Sequence, residues 1–484
     1  MKDTSTKPWR GDNSYDVAIV GAGIIGCSLA FTLGNQGRRV LLLERDLSEP
    51  DRIVGELLQP GGVQALGTLG LRDCLEGIDA IPVYGYQVIY HGEGVAIPYP
   101  RGPDGKAPEG RSFHHGKFIM KLREAARNAP NVTVLETTAR EIIKHEGSGQ
   151  VLGVVCKKKG FDELDYYFAS LTVSADGYAS NFRKRCIDKK PQVRSHFFAL
   201  ELKDAKLPSP GYGHVVLGDN PPVLLYQIGT HDTRALIDVP QAPSAASGGI
   251  RGHLANVVLP DLPECIQPSF KEALKADRFP SMPNSFLPPS TNTTPGMMLL
   301  GDAMNMRHPL TGGGMTVAFN DVVLISDLLS PESVPDLADT DSVLVQLSRF
   351  HWERKSLTSV INILAQALYT LFAANGNPAA MFCLILLLMV FVTDNKLRVL
   401  QKGCFRYFQR GGQCIDGPVG LLAGIIHQPM VLFFHFFAVA FYSIYILFAS
   451  LSPASWPVAF FSSFGVFYKA CVVIFPYIFS EAKS

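Results

Sequence analysis

A glycine turn near the start of the chain restricts the possible fold more than any other feature. Residues 16–20 form an apolar strand, and a GxGxxG turn follows at once with Gly21, Gly23 and Gly26. Residues 27–33 have helical character, and a second apolar strand, residues 40–43, ends on Glu44. Glycines let the backbone approach a pyrophosphate closely, and the helix N-terminus offers N–H groups to it. This order of elements predicts an α/β, Rossmann-like domain that binds a dinucleotide.

Two further motifs favour a flavin over a nicotinamide. Residues 171–177 form a strand that ends in Asp-Gly, and residues 296–303 form another that ends in Gly-Asp. A triple-glycine turn then leads into a helix at residues 311–318. Reduced flavin carries negative charge at its pyrimidine edge, which a helix N-terminus stabilises. Glu44 disfavours a 2′-phosphate, so FAD or NAD is expected at the first turn rather than NADP.

Charge is scarce and unevenly distributed. Lys plus Arg number 44 and Asp plus Glu 43, a balance that argues against a nucleic-acid binder. Residues 417–468 are 52 positions without a single charge, and 14 of the 30 Phe lie in residues 401–484. Residues 430–451 and 456–479 are each long enough to cross a bilayer, with a turn at 452–455. We predict a helical membrane hairpin over 430–479 that either spans the bilayer or dips into one leaflet; a pair of buried core helices is the alternative.

Other features point to a cytosolic body. The nine cysteines include no CxxC pair, so free thiols are expected and no metal site. Residues 1–15 are polar and lack the apolar core of a signal peptide. Residues 379–392 are apolar but short, which favours a buried or interfacial helix.

The order of the three flavin motifs resembles the flavin monooxygenases of the para-hydroxybenzoate hydroxylase fold. The variant at residues 301–310, together with residues 51–62, is similar to the squalene monooxygenase (squalene epoxidase) family. Further similar blocks lie at residues 113–116, 281–283 with 285–289, 362–369 and 417–422. The resemblance extends from about residue 14 to the end, and the short N-terminus is more similar to the fungal than to the mammalian form.

The resemblance implies a reaction and a location. The family converts squalene to (S)-2,3-oxidosqualene with FAD and dioxygen, through a flavin hydroperoxide, in sterol biosynthesis. Electrons come from NADPH through the NADPH–cytochrome reductase. The expected location is the cytosolic face of the endoplasmic reticulum membrane, in contact with membrane lipid; a hairpin confined to one leaflet would also permit lipid droplets.

The resemblance also implies site residues. Those expected to hold FAD are Gly21, Gly23, Ile24, Ile25, Gly26, Glu44, Arg45, Arg52, Arg123, Ala139, Asp302 and Met315. Ala139 is expected to contact the adenine side through its backbone, at the end of the strand 132–135. Tyr86 is expected to pair with Gln59 and to orient the substrate rather than to transfer protons. The expected pocket residues are Leu57, Tyr226, Leu310, Leu368 and Phe372. His308 is a candidate base or, alternatively, a structural histidine.

The predicted organisation has three parts. The FAD domain comprises residues 14–84, 117–185 and 290–345, and a β-sheet substrate domain comprises 85–116 and 186–289. Residues 346–484 form a helical domain with the membrane hairpin. Two other functions stay open: a prenyl-lipid reductase or aromatic hydroxylase of the same fold, and a prenyl-lipid carrier without redox chemistry.

Overall fold

The computed structural model describes residues 13–102, 105–241, 243–244, 248–373 and 395–483. The apolar segment 379–392 lies outside the described residues.

The described chain alternates strands and helices up to residue 330 and is helical after that. The strands are Ser14–Val20 (β1), Val40–Glu44 (β2), Leu57–Leu58 (β3), Ile81–Val83 (β4), Gly85–Tyr90 (β5), Glu93–Pro98 (β6), Gly110–Ser112 (β7), Val132–Glu136 (β8), Thr138–Lys144 (β9), Val151–Lys157 (β10), Leu164–Ser174 (β11), Gln192–Lys203 (β12), Gly213–Leu217 (β13), Val223–Gln227 (β14), Asp232–Val239 (β15), Ser281–Phe286 (β16) and Met297–Leu299 (β17). The helices are Ile24–Asn35 (α1), Pro60–Thr68 (α2), His115–Asn128 (α3), Arg183–Cys186 (α4), Gly249–His253 (α5), Leu259–Asp261 (α6), Gln267–Ala273 (α7), Gly314–Leu328 (α8), Thr340–Glu353 (α9), Lys355–Phe372 (α10), Asn395–Phe408 (α11), Gln413–Leu422 (α12), Pro429–Ala449 (α13) and Trp456–Ala482 (α14).

The first sheet brings the three motifs together. Its strand order is β8-β2-β1-β11-β10-β9, and β17 also pairs with β11. Strands β8, β2, β1, β11 and β17 run parallel, with Val20 opposite both Leu43 and Ser174, and Ser174 opposite Leu299. The glycine turn, the acid of β2, the Asp-Gly turn and the Gly-Asp turn therefore all lie at one edge, the carboxyl ends of parallel strands, where α/β sheets bind ligands.

Burial explains why these short strands stay in register. Val17, Ile19, Leu41 and Leu42 are fully buried, since β1 and β2 are covered by helices. Helix α1 packs against both α3 and α8. Near-continuous apolar strands covered on both faces are typical of parallel sheets.

A second sheet lies beside the first. Its order is β16-β12-β15-β14-β13-β5-β6, antiparallel except for the β13–β5 pair. Gly213 of β13 is opposite Tyr86 of β5, which fixes the position of that tyrosine on the sheet. A three-stranded sheet, β3-β7-β4, lies next to the segment that contains Gln59.

The predicted helical hairpin is present. Helix α13 covers 429–449 and α14 covers 456–482, joined by a short turn at Pro453–Ser455. Both are long and apolar enough to cross a membrane. Phe434 is 66% exposed and Phe461 is 74% exposed, so the hairpin is not a pair of buried core helices. The predicted α/β class with a β-sheet part and C-terminal apolar helices is confirmed, and the domain boundaries stay a prediction.

Candidate active site

The three glycines of the first turn have different surroundings. A Cβ at Gly21, where φ is +106°, would lie 2.5 Å from the carbonyl oxygen of Ala175. A Cβ at Gly26 would collide with the carbonyl of Gly21. Gly23, by contrast, has no atom within 4 Å of that position, and α1 starts immediately after it without a side-chain cap. The outer two glycines therefore let β1 and α1 approach each other, and the middle one leaves space at the helix N-terminus where a pyrophosphate fits.

Glu44 and Arg123 form the wall beside this turn. The Glu44 carboxylate accepts a hydrogen bond from the Ala22 N–H at 2.8 Å and lies 3.7 Å from the Arg123 guanidinium. Arg123, only 6% exposed, donates to the carbonyls of Ala22 (3.0 Å) and Ser48 (2.8 Å). The backbone N–H of Arg45 donates to the other Glu44 oxygen at 2.9 Å. The acid is thus held at the end of β2 and directed toward the turn, as ribose binding requires.

Arg52 and Ala139 are the two other residues expected at this end of the cofactor. The guanidinium of Arg52 lies over the Tyr178 ring at 5.9 Å, and its side chain is exposed. Strand β8 continues to Glu136, and Ala139 is the second residue of β9, opposite Cys156. The expected position of Ala139 at the end of the strand 132–135 was therefore wrong, because a new strand begins after Thr137.

Arg183 connects the Asp-Gly turn with the Gly-Asp turn. It is buried, and its guanidinium donates to the carbonyls of Gly177 (3.2 Å), Tyr178 (2.8 Å), Asp302 (2.9 Å) and Ala303 (2.9 Å). Four backbone oxygens on one cation fix the two turns relative to each other. Because the Asp302 carbonyl is held in this way, its exposed carboxylate stays free to face the edge of the sheet.

The triple-glycine turn supplies a second helix N-terminus. Helix α8 begins at Gly314, where a Cβ would have no atom within 4 Å, and Met315 is buried behind it. Within the described part of the chain, the buried hydroxyl oxygen of Thr311 has no hydrogen-bond partner. An open helix N-terminus beside an unsatisfied polar atom fits the polar edge of a flavin ring, which FAD would place here.

Gln59 and two tyrosines form a buried group next to this turn. The amide of Gln59 donates to the Thr311 carbonyl at 3.2 Å, and the Tyr86 hydroxyl donates to the same oxygen at 3.3 Å. The Tyr99 hydroxyl donates to the Gln59 carbonyl oxygen at 2.6 Å, and its ring lies edge-on to Tyr86. Burial raises the pKa of both tyrosines, so both hydroxyls stay protonated and act as donors.

The expected pocket residues gather in two adjoining apolar clusters. Tyr226, Leu310, Leu368 and Phe372 belong to one cluster. Phe372 also belongs to the cluster that contains Leu57, Tyr86 and Tyr99. All five predicted pocket residues therefore lie in these two clusters, and the second cluster also contains the two tyrosines of the Gln59 group.

A buried ion pair between Arg234 and Glu56 lies beside the expected pocket residue Tyr226. Arg234 binds Glu56 through two hydrogen bonds of 2.9 and 2.8 Å, and the Tyr226 hydroxyl donates to Glu56 at 3.3 Å. Glu56 is 1% exposed, and burial raises the pKa of its carboxyl against the effect of Arg234. A bidentate pair of this kind holds β15 against the segment before Gln59.

His308 is engaged on both ring nitrogens. Its Nδ1 accepts the Leu310 N–H at 3.2 Å, so the proton lies on Nε2, which faces Ser195 at 3.3 Å and Asp238 at 3.7 Å. The ring stacks on Tyr369 at 3.7 Å. Burial lowers the pKa of His308 despite Asp238. These contacts favour the structural interpretation over a catalytic base.

A cavity of about 1160 Å³ lies between Tyr99 and the hairpin. On one side it is lined by residues of the β5–β6 region, namely Tyr84, Pro98 and Tyr99, and on the other by residues of α13, namely Met430, Val431 and Phe434. Tyr99 thus belongs both to the cavity wall and to the hydrogen-bonded group around Gln59.

The sequence interpretation missed Tyr99, Arg183 and the Glu56–Arg234 pair. Arg183 follows the Asp-Gly turn by only six residues, and this spacing is a signal that could have identified it. Tyr99 directly follows strand β6, and only the fold shows that its hydroxyl reaches Gln59.

Comparisons with known proteins agree with this geometry. The sequence profile of the squalene epoxidase family matches residues 168–461, and that of FAD dependent oxidoreductases matches residues 16–50. The chain is 59% identical to a squalene epoxidase of Aspergillus fumigatus over 97% of this chain and 94% of that protein. It is 44% identical to the squalene monooxygenase of Mus musculus over 97% of this chain and 78% of that protein.

Solved structures show the same fold. The p-nitrophenol 4-monooxygenase PnpA of Pseudomonas putida is 19% identical, with a TM-score of 0.61 over 76% of this chain and 91% of that one. The flavin-dependent brominase Bmp2 is 14% identical, with a TM-score of 0.67 over 89% of this chain and 99% of that one. The family profile covers more than half of the chain and the relatives cover nearly all of it, so the chain belongs to the squalene epoxidase family.

Proposed function

We propose that this chain epoxidises squalene to (S)-2,3-oxidosqualene with FAD and dioxygen, as a step of sterol biosynthesis. One observation carries the proposal. A chain 59% identical to a squalene epoxidase has its GxGxxG turn, Glu44 and its Gly-Asp turn at a single sheet edge. When bound, FAD supplies the activated oxygen; the protein's residues bind, orient and exclude water.

The proposed cofactor contacts follow the geometry of this edge. The N–H groups of Ile24 and Ile25 face the pyrophosphate, and Gly21, Gly23 and Gly26 permit its approach. Glu44 and Arg45 hold the adenosine ribose. Residues at the edges complete the site, namely Arg52, Arg123, Ala139, Asp302 and Met315.

The substrate offers no polar group, so its position must come from shape and burial. At about 0.8 kcal/mol per buried methylene-sized group, an apolar cavity binds a long hydrocarbon strongly without hydrogen bonds. Leu57, Tyr226, Leu310, Leu368 and Phe372 provide the apolar walls. We infer that substrate enters from the hairpin through the cavity between Tyr99 and α13, since Tyr99 lies in the same apolar cluster as Leu57.

Tyr86 and Gln59 orient rather than transfer protons. The Tyr86 pKa is raised by burial, and its hydroxyl donates to the Thr311 carbonyl beside the triple-glycine turn. A neutral tyrosine that donates a hydrogen bond and has its ring in the apolar cluster can position one end of the substrate next to the flavin site. Tyr99 holds Gln59 from the other side.

Electron supply and location complete the proposal. Electrons come from NADPH through the NADPH–cytochrome reductase, and the enzyme works on the cytosolic face of the endoplasmic reticulum membrane, with lipid droplets as a second location. Two apolar C-terminal helices support membrane association. The same proposal includes the domain limits. These are 14–84, 117–185 and 290–345 for the FAD domain, 85–116 and 186–289 for the substrate domain, and 346–484 for the helical domain.

The test is purification in detergent, a flavin spectrum, and product analysis with squalene, NADPH and the reductase. Oxidosqualene that forms only when all three are present supports the proposal. A flavin-loaded protein that converts another prenyl lipid or an aromatic compound, but not squalene, favours the other enzymes of this fold. A colourless protein without turnover favours a carrier. Within the same assay, Asp302→Ala should lose FAD, whereas Tyr86→Phe should keep FAD but slow epoxidation.

A further inference from the structure

Helix α11 has one buried and one strongly basic face. The helix packs on α13 and α14 of the hairpin, and its inner face is buried through Leu397, Leu400, Cys404, Phe405 and Phe408, all at most 9% exposed. Five cations on the helix or just after its end together form the cationic face: Arg398, Lys402, Arg406 and Arg410 on the outer side, with the exposed Gln409 among them, and Lys396 at the border with α14. Residues 395–410 contain no Asp or Glu.

The spacing of these cations is unfavourable for an isolated helix. Arg398, Lys402, Arg406 and Arg410 follow each other at intervals of four, so they form one stripe of like charges. Like charges at this spacing destabilise a helix. Negative charge from outside α11 is therefore needed to offset the repulsion within the stripe.

The protein itself supplies only part of that negative charge. Arg406 pairs with Glu93 at 3.0 Å, and Arg398 lies 3.6 Å from Asp219. In the described ranges of the chain, no acidic side chain lies within ion-pair distance of the other three cations, Lys396, Lys402 and Arg410. Three of the five cations thus have no acidic partner there; the Arg410 guanidinium lies over the Tyr442 ring of α13 at 5.3 Å, a contact that leaves its charge for an external anion.

The position of α11 along the hairpin indicates what that anion is. Gly403 packs directly against Ser443 of α13, and the methylenes of Lys396 lie beside Gly465 of α14. Beyond these contacts, six residues of α13 and nine of α14 lead to the turn at Pro453–Ser455. At about 1.5 Å per residue, this outer part of the hairpin extends roughly 9–14 Å past α11.

The outer part of the hairpin is apolar and aromatic. Tyr445, Trp456, Val458, Phe461 and Phe464 are each at least 51% exposed. A length of roughly 9–14 Å fits within one leaflet of a hydrocarbon core about 30 Å thick. With the tip embedded to that depth, the cationic face lies at the level of the lipid phosphates.

We propose that the cationic face of α11 binds the phosphate groups of anionic phospholipids and so sets the depth to which the hairpin enters the membrane. Basic residues at a membrane surface each gain about 1 kcal/mol from anionic lipid, or about fivefold in affinity. The attraction falls off within a Debye length, so only cations held at the surface contribute. The three unpaired cations meet that condition in this arrangement.

The test compares partition from detergent into neutral phosphatidylcholine vesicles and into vesicles with about one third phosphatidylserine. The full chain should prefer the anionic vesicles by about a hundredfold at about 0.1 M salt, and the preference should largely vanish at about 1 M. A variant with Lys396→Gln, Lys402→Gln and Arg410→Gln should lose the preference and keep its partition into neutral vesicles, which the hairpin provides.

A matched control neutralises three exposed cations far from α11: Lys271→Gln, Lys275→Gln and Arg278→Gln. The control should keep the full preference. If the triple variant does not fold, Lys402→Gln alone should lose about fivefold. Equal partition of the unmodified chain into both kinds of vesicle, or a triple variant that keeps the preference, overturns the proposal. Equal partition of the unmodified chain would instead favour an acidic protein as the partner of the cationic face.

Discussion

The surroundings of Gly23 allow the cofactor assignment to be tested without damage to the fold. A Cβ at this position meets no atom within 4 Å, and φ is −92°, which alanine adopts freely. Gly23→Ala weakens the N-cap of α1 but also restricts the unfolded chain, two effects of similar size and opposite sign. We therefore expect the free energy of unfolding of the apoprotein to change by less than about 1 kcal/mol.

FAD binding should respond very differently. The added methyl group takes the space in which a pyrophosphate would approach the N–H groups of Ile24 and Ile25. Hydrogen bonds to a charged group are worth about 1.5–3 kcal/mol each, so loss of two costs about 3–6 kcal/mol. That corresponds to a Kd raised by about 10² to 10⁴.

The assay is a titration of detergent-solubilised apoprotein with FAD, followed by flavin fluorescence, beside urea unfolding of the same apoprotein. Gly67→Ala is the matched control, because its Cβ also meets nothing within 4 Å and it lies in α2. It should leave the FAD Kd unchanged. Gly26→Ala should instead lose stability, since its Cβ collides with the Gly21 carbonyl. A Gly23→Ala protein with the FAD Kd of the unmodified chain would refute this position for the pyrophosphate.

Three other substitutions test buried contacts. Tyr99→Phe removes the 2.6 Å hydrogen bond to Gln59 and should lower the free energy of unfolding in urea by about 1–3 kcal/mol; no change would show that this bond is not formed. Arg234→Leu leaves the Glu56 carboxylate unpaired and should cost about 3–5 kcal/mol, much of it recovered when Glu56→Leu is added; a double variant no better than the single one would contradict this. Burial lowers the pKa of His115 from 6.5 to about 4, so between these pH values the unfolded chain binds a proton that the folded chain does not. Stability should therefore fall as pH falls from about 6.5 toward 4, and thermal unfolding of His115→Gln should show a shallower slope.

Much of the cofactor edge could be predicted from local sequence. Gly21, Gly23, Gly26 and Glu44 lie within one strand–turn–helix–strand unit. Their spacing in the sequence therefore determines their relative positions in space. Parallel pairing of β1, β11 and β17 then brings distant turns to the same edge without any further sequence signal. The hairpin was equally predictable, since few structures other than apolar helices accommodate 52 consecutive residues without a charge.

Contacts between distant segments could not be predicted. Arg183 and Asp302 are separated by 119 residues and Glu56 and Arg234 by 178, and no periodicity relates such positions. Arginine at the start of a helix or in a strand normally indicates a solvated surface. Only the fold shows that Arg183 and Arg234 are buried and bound to oxygen atoms.

The origin of the oxygen atom in the product tests the central claim most directly. Purified protein, FAD, NADPH, the reductase and squalene should be incubated under ¹⁸O₂ in ordinary water, and the oxidosqualene analysed by mass spectrometry. We predict one ¹⁸O atom in each product molecule and none when the label is supplied as water instead. Product without the label from ¹⁸O₂, or no oxidosqualene from a fully flavin-loaded protein, would contradict it.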